Sequence, residues 1–319
     1  MSINPHRTAL SFVACTFASA MIWAAGPGAP SPVITSTVKP GSAATTQAST
    51  RPSQTPILAE ECIAWRGIQY VAGGAEKQKL DVYAPAKGAG MPVVLFVHGG
   101  EWARGDKSDI STKPKFFNEH NIVFVATNYR LSATDQHPAQ VNDIAAALRW
   151  CKDHIGEYGG NPADITLMGH SAGCHLVTLV GLDPRPLATV GMKPKDIRRI
   201  ISWSGGAFDL VQKVEENGMY AGYVKLNFGT DASTWRDASP INYVQNAKSA
   251  PPFLFVSAGE GNPGSQKMSE IMVDKIRAAG GKAQPALLNG KTHFAINHEI
   301  GQENDPSNNV LLRFIHDAD

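Results

Sequence analysis

The chain has 319 residues, 43% of them hydrophobic, with 29 Lys and Arg against 28 Asp and Glu and a formal charge of +1. That length suffices for one large domain or two small ones. Near-neutral charge without basic runs gives no footing for a nucleic-acid partner.

Residues 1–25 read as an export signal. His6 and Arg7 open it, and Ala9 to Ala25 is uncharged and rich in Ala, Phe, Val and Ile. Ala18-Ser19-Ala20 offers an A-x-A cleavage site, with Trp23-Ala24-Ala25 as a second. The uncharged run is at the short end of what spans a bilayer, and many of its residues are weakly apolar. Cleavage is therefore expected, with no stable membrane insertion afterwards and a periplasmic or secreted location. Residues 26–57 are dominated by Pro, Ser, Thr, Ala and Gly, with Lys39 and Arg51 as the only charges. Such a stretch buries too little apolar surface to offset its ordering entropy and is expected to be a disordered linker. The folded domain then covers residues 58–319. After cleavage Cys62, Cys151 and Cys174 remain; an oxidising compartment permits a Cys62–Cys151 disulfide. No C-x-x-C or paired-His spacing indicates a metal site, and no cofactor is expected.

Ile63 to Val71 and Lys79 to Tyr83 predict two antiparallel strands around an Ala72-Gly73-Gly74 turn. Pro92 to Val97 is a continuous apolar run, the mark of a strand covered on both faces. A helix over Lys113 to Glu119 precedes another buried run, Ile122 to Ala126. Gln140 to His154 is amphipathic through Ile144, Leu148 and Trp150. Ile165 to Met168 is the fifth strand, followed by Gly169-His170-Ser171-Ala172-Gly173 and an apolar helical continuation. Ile200 to Trp203, Phe253 to Val256 and Ala286 to Leu288 complete eight strands. Pro285 puts the last at the sheet edge, where its missing N–H is tolerated. Lys267 to Ala279 and Asn308 to Ile315 are late helices. Strands alternating with helices predict an α/β, mostly parallel, doubly wound sheet. Ser204 to Ser249 is longer than one crossover helix needs. It carries Tyr220, Tyr223, Phe228 and Trp235 and is expected to form a small lid or pocket wall.

Alone, G-x-S-x-G carries little. Between a strand and a helix it places a serine on a strained turn above the sheet, at the carboxyl ends of the strands where ligands bind. Ser171 is then the candidate nucleophile. Serine acyl transfer also needs a base, an acid that orients it, and donors for the oxyanion. His98-Gly99-Gly100-Glu101-Trp102 directly follows the third strand, so the N–H groups of the Gly99, Gly100 and Glu101 loop, with Ala172, are the expected donors. His98 is read as a scaffold for this loop. His293, on the loop after the eighth strand, is the expected base, with His298 as rival. Glu260, the only carboxylate in the stretch Phe253 to Asn262, is the expected acid, with Asp209 in reserve.

His98-Gly99-Gly100-x-Trp102, Gly169-His170-Ser171-Ala172-Gly173-x-His175-Leu176 and Lys291-Thr292-His293 resemble α/β-hydrolase-fold esterases. The likeness is to the hormone-sensitive-lipase-like and kynurenine-formamidase-like carboxylesterases. It runs from Gln78 to Phe314 and takes in Asn128-Tyr129-Arg130-Leu131, His137-Pro138-Ala139-Gln140 and Tyr158-Gly159-Gly160-Asn161-Pro162. The resemblance implies an α/β-hydrolase fold, nucleophile Ser171, base His293, and oxyanion donors in the Gly99–Glu101 loop and Ala172. It departs from many relatives at Asn262, where they carry Asp, and at Glu101, where they carry a third glycine. It implies serine hydrolysis but is a poor guide to substrate; the leading expectation is a carboxylesterase acting on small or medium acyl esters, with acetyl or feruloyl groups on polysaccharide as candidates. An arylformamidase-type amidase shares the machinery, but the export signal speaks against a cytoplasmic metabolite.

Overall fold

A computed structural model describes residues 58–59, 61–261 and 263–317. The expected export signal and linker, and Asn262, lie outside the described residues.

Eight strands form one sheet: β1 (Cys62–Gln69), β2 (Lys79–Pro85), β3 (Met91–Val97), β4 (Val123–Thr127), β5 (Gly160–His170), β6 (Arg199–Trp203), β7 (Phe253–Ala258) and β8 (Ala283–Leu288). Their order is β1-β2-β4-β3-β5-β6-β7-β8. The pairs β1–β2 and β2–β4 are antiparallel and the rest parallel. The apolar runs explain the layering. Along β3, Val93, Leu95 and Val97 enter one core and Val94 and Phe96 the other, because successive side chains point to opposite faces. A strand buried this way contributes about 1.5–3 kcal/mol per large apolar side chain on each face. β8 is the edge strand, and Pro285 pairs with Phe255 on its covered side.

In chain order the helices are α1 (Lys113–Glu119), α2 (Ala139–His154), α3 (Ala172–Leu182), α4 (Pro184–Thr189), α5 (Leu210–Glu215), α6 (Met219–Phe228), α7 (Ala232–Asp237), α8 (Pro263–Ala278), α9 (Ala295–His298) and α10 (Pro306–His316). α2, α3 and α8 cover one face through Leu148, Val177 and Met272. α1 and α10 cover the other through Phe117 and Leu311. The long interval between β6 and β7 holds α5, α6, α7 and a 3-10 segment, Pro240–Ser249. Phe228 docks it edge-on against Trp102, ring centroids 5.0 Å apart.

The permitted disulfide is not formed. Cys62, Cys151 and Cys174 are free. Cys151 belongs to the core on one face of the sheet, whereas Cys62 packs against the core on the other, so the sheet itself separates them. Among the described residues, no helix is long and apolar enough to cross a membrane, and no group of three or more His, Cys, Asp or Glu could hold a metal ion.

Candidate active site

Ser171 is the single residue between β5 and α3, and it stands at φ 56°, ψ −115°. A side chain at such a φ is strained and persists only where its surroundings fix it. The surroundings here are close backbones. A Cβ on Gly173 would lie 2.3 Å from the carbonyl oxygen of Val97, so only glycine lets α3 start this near β3. The Ser171 N–H donates to the carbonyl of Trp203 at 3.3 Å, tying the turn to β6.

Three elements bring groups to Ser171. From the loop between β8 and α9, His293 Nε2 lies 3.0 Å from the Ser171 hydroxyl. From the end of β6, the Ser204 hydroxyl lies 3.0 Å from His293 Nδ1. From β5, the His170 ring lies tilted against the His293 ring, centroids 4.7 Å apart at 30°, and its Nε2 is 3.0 Å from the His293 carbonyl oxygen. Burial lowers the pKa of His293, and it lowers that of His170 well below the ordinary histidine value. Both imidazoles are therefore held toward the neutral form, which a general base requires.

The loop after β3 carries the backbone N–H groups expected as donors. Gly100, Glu101 and Trp102 all have positive φ, at 115°, 56° and 60°. A Cβ on Gly100 would fall 2.1 Å from the Arg104 carbonyl oxygen, so the loop closes only with glycine there. Gly99 is packed on the nucleophile: a Cβ there would meet Ser171 Cβ at 3.0 Å. Ala172 is the first residue of α3, where a backbone N–H has no intrahelical acceptor and the helix dipole favours negative charge.

Side chains brace this loop from behind. His98 is fully buried and stacks on Tyr129 at 4.4 Å, whose hydroxyl donates to the His98 carbonyl at 3.2 Å. Burial brings its pKa to about 4, so it is a neutral structural ring. Trp102 donates from Nε1 to His175 Nδ1 at 3.1 Å, and His175 Nε2–H donates to the Ala238 carbonyl at 2.7 Å. The strut thus runs from the donor loop through α3 to the segment after α7. The Asn128-Tyr129-Arg130 motif is scaffolding too: Asn128 accepts from the Lys107 N–H at 2.6 Å, and Arg130 is paired with buried Asp143.

The remaining expectations fall elsewhere. His298 Nδ1 meets the Ser111 hydroxyl at 3.2 Å. Asp209 caps α5, accepting from the Gln212 N–H at 3.0 Å. Glu260 is not brought to His293. Its own N–H donates to the Lys291 carbonyl at 3.0 Å, which fixes its backbone beside the His293 loop while its side chain is exposed. The contact that Glu260 was expected to make is made by Ser204. No sequence signal marks Ser204, because a serine after a buried strand is an ordinary loop residue until its register with β5 is known.

Sheet order, strained serine turn and serine–imidazole pair together define the α/β-hydrolase fold. Residues 80–275, more than half of the chain, match the BD-FAE family, and the chain belongs to that family. It is 29% identical over 242 residues to the probable isoprenylcysteine alpha-carbonyl methylesterase ICMEL1 of Arabidopsis thaliana, covering 72% of this chain and 50% of that protein. The chain spans about half the length of the curated relatives it matches. Esterase B of Lactobacillus rhamnosis shares the fold with a TM-score of 0.70 at 22% identity, over 82% of this chain and 88% of that one. A truncated carbohydrate esterase from gut microbiota shares it with a TM-score of 0.71 at 18% identity, over 82% of this chain and 98% of that one.

Proposed function

We propose that this protein is an exported serine carboxylesterase acting on small or medium acyl esters. The observation that carries the reading is the Ser171 hydroxyl, on its strained turn, 3.0 Å from His293 Nε2. Ser171 Oγ attacks the ester carbonyl while His293 Nε2 takes its proton. The tetrahedral oxyanion is met by the N–H groups of Gly100, Glu101 and Ala172, in the loop that Gly99 seats on Ser171. His293 returns the proton to the departing alkoxide, which leaves as the alcohol with an acyl-enzyme behind. Water, deprotonated by the same imidazole, attacks the acyl group and releases the acid, restoring Ser171. Each oxyanion donor of this kind is worth about 10²–10³ in kcat.

Family membership and the esterase names among the relatives support ester hydrolysis. The uncharged N-terminal stretch supports export. The carbohydrate-esterase neighbour supports an acyl group carried on a sugar as one substrate class. A panel of p-nitrophenyl acetate, butyrate and octanoate set against acetylated xylan, feruloylated arabinoxylan and N-formylkynurenine tests the reading. Turnover of the acyl esters with little on N-formylkynurenine is expected. Faster turnover of N-formylkynurenine than of every ester would replace it with an arylformamidase.

A further inference from the structure

Among the described residues, no carboxylate is hydrogen-bonded to the His293 ring. Its two ring nitrogens meet two serine hydroxyls, Ser171 on Nε2 and Ser204 on Nδ1, each at 3.0 Å. Ser204 is built into the sheet rather than carried on a free loop. It is 3% exposed, has φ 56°, and its N–H donates to the Val256 carbonyl at 2.8 Å. The neighbouring Trp203 carbonyl takes the N–H of Ser171, so nucleophile and Ser204 are referenced to the same strand. The backbone after His293 is fixed as well: Trp203 Nε1 donates to the Ile296 carbonyl at 2.9 Å, and buried Lys113 Nζ donates to the Asn297 carbonyl at 2.7 Å.

Among the described residues, the charged and titratable groups on the elements that carry and flank His293 include His170, Lys113, His298, Lys291 and Glu260, with Asp109 4.0 Å from His298 Nδ1. His170 packs against His293 from β5, ring tilted by 30°. Lys113, from α1, is fully buried and is brought to about 7 by burial, with Asp109 opposing. His298 is on Ser111. Lys291 is ion-paired with Glu299 and Asp305. Glu260 is exposed, its side chain making no hydrogen bond or ion pair to His293 among the described residues.

We propose that Ser204 is the positioning residue for the base: its hydroxyl accepts the Nδ1–H of His293 and fixes the tautomer that leaves Nε2 free to take the Ser171 proton. This rests on the ester-hydrolase reading above and extends it, because it replaces the orienting acid with a neutral group. For Ser171 O–H to donate to Nε2, the ring proton must reside on Nδ1, and Ser204 Oγ is the atom there to receive it. A hydroxyl orients the ring as a carboxylate does, yet it lends the imidazolium only a dipole. The base consequently stays neutral to lower pH, and the enzyme keeps working where a carboxylate-backed histidine is already protonated.

The test is kcat and KM for p-nitrophenyl acetate between pH 4.5 and 9 for wild type, Ser171→Ala, Ser204→Ala, Ser204→Asp and Glu260→Gln, each checked for folding by circular dichroism. Ser204→Ala should lower kcat about 10–100-fold at unchanged KM, the scale on which a misplaced reacting group costs rate. Ser204→Asp should move the acid limb of the kcat profile up by about 1–2 pH units, since an opposite charge favours the imidazolium. A purely structural role for Ser204 does not move that limb. Glu260→Gln should keep both kcat and profile. If Glu260→Gln loses about 10³-fold or more while Ser204→Ala keeps its rate, the proposal is overturned and the acid is Glu260. Should Ser204→Ala not fold, the acid-limb shift in Ser204→Asp and the Glu260→Gln rate decide. Ser171→Ala separates the two layers. Retained hydrolysis in that variant sinks the esterase reading itself, whereas its loss beside a normal Ser204→Ala sinks only the role of Ser204.

Discussion

The Trp102 indole is one of the groups that hold the donor loop in shape, and Trp102→Phe isolates what its N–H contributes. Glu101 and Trp102 have φ of 56° and 60°, conformations that cost about 1–3 kcal/mol each and revert unless something over-determines them. The restraints are the edge-on contact of Trp102 with Phe228 at 5.0 Å and the hydrogen bond from Nε1 to His175 Nδ1 at 3.1 Å. Phenylalanine keeps an aromatic ring against Phe228 and removes only the donor. It leaves Nδ1 of a fully buried imidazole, whose pKa burial has brought to about 3, as an acceptor without a partner. An unsatisfied buried acceptor costs about 1–3 kcal/mol, and for a fold of this size each kcal/mol lowers Tm by about 2–4 °C. A Tm fall on the order of 5 °C is expected by thermal denaturation. In parallel the loop relaxes toward ordinary φ and its N–H groups turn from the oxyanion, so kcat should fall about tenfold or more while KM changes little. Unchanged Tm and kcat together would refute the strut. A lower Tm with unchanged kcat would show that it holds the fold and not the donors.

Two further outcomes follow from packing and burial. Gly173→Ala should destabilise the protein by about 3 kcal/mol or more, because the new Cβ meets two backbone carbonyls, Val97 at 2.3 Å and His98 at 2.8 Å; a urea midpoint within error of wild type would contradict the packing of α3 on β3. His98, His170 and His175 are buried with pKa values pressed below the ordinary 6.5. The unfolded chain protonates them as pH falls through ~6.5, while folded His98 and His175 stay neutral down to about 4 and about 3, and burial holds folded His170 neutral well below the ordinary histidine value. The unfolded state then binds more protons, so stability is fully present above that range and falls on acidification. Three such groups give a slope of up to about 4 kcal/mol per pH unit, visible as a falling urea midpoint between pH 7 and 5, and a level midpoint would count against three neutral buried rings.

Much of the scaffold was legible because it depends on local pattern. Continuous apolar runs such as Pro92 to Val97 mark strands covered on both faces, and Pro285 marks an edge by its missing N–H. Ser171 was legible because a strand, two glycines and a helix in succession leave few conformations for the residue between them. Ser204 was not, since its meeting with His293 depends on the register of β6 between β5 and β7, and register is a property of the sheet. Glu260 illustrates the converse. Its chain position is that of an orienting acid, but its backbone is committed to Lys291 and its carboxylate faces water. The Trp102–His175 strut likewise joins residues 73 apart in sequence. The helices between β6 and β7 escaped because α5 and α7 span only six residues each, too few for a periodic pattern to emerge.

The central claim is that Ser171 is the nucleophile activated by His293, and covalent trapping tests it most directly. Purified protein treated with a fluorophosphonate and digested for mass-spectrometric peptide mapping should carry one phosphonyl group on Ser171. Ser171→Ala should carry none, and His293→Ala should label far more slowly because nothing takes the hydroxyl proton. Stoichiometric label on another serine, or equal labelling of Ser171→Ala, would contradict the account.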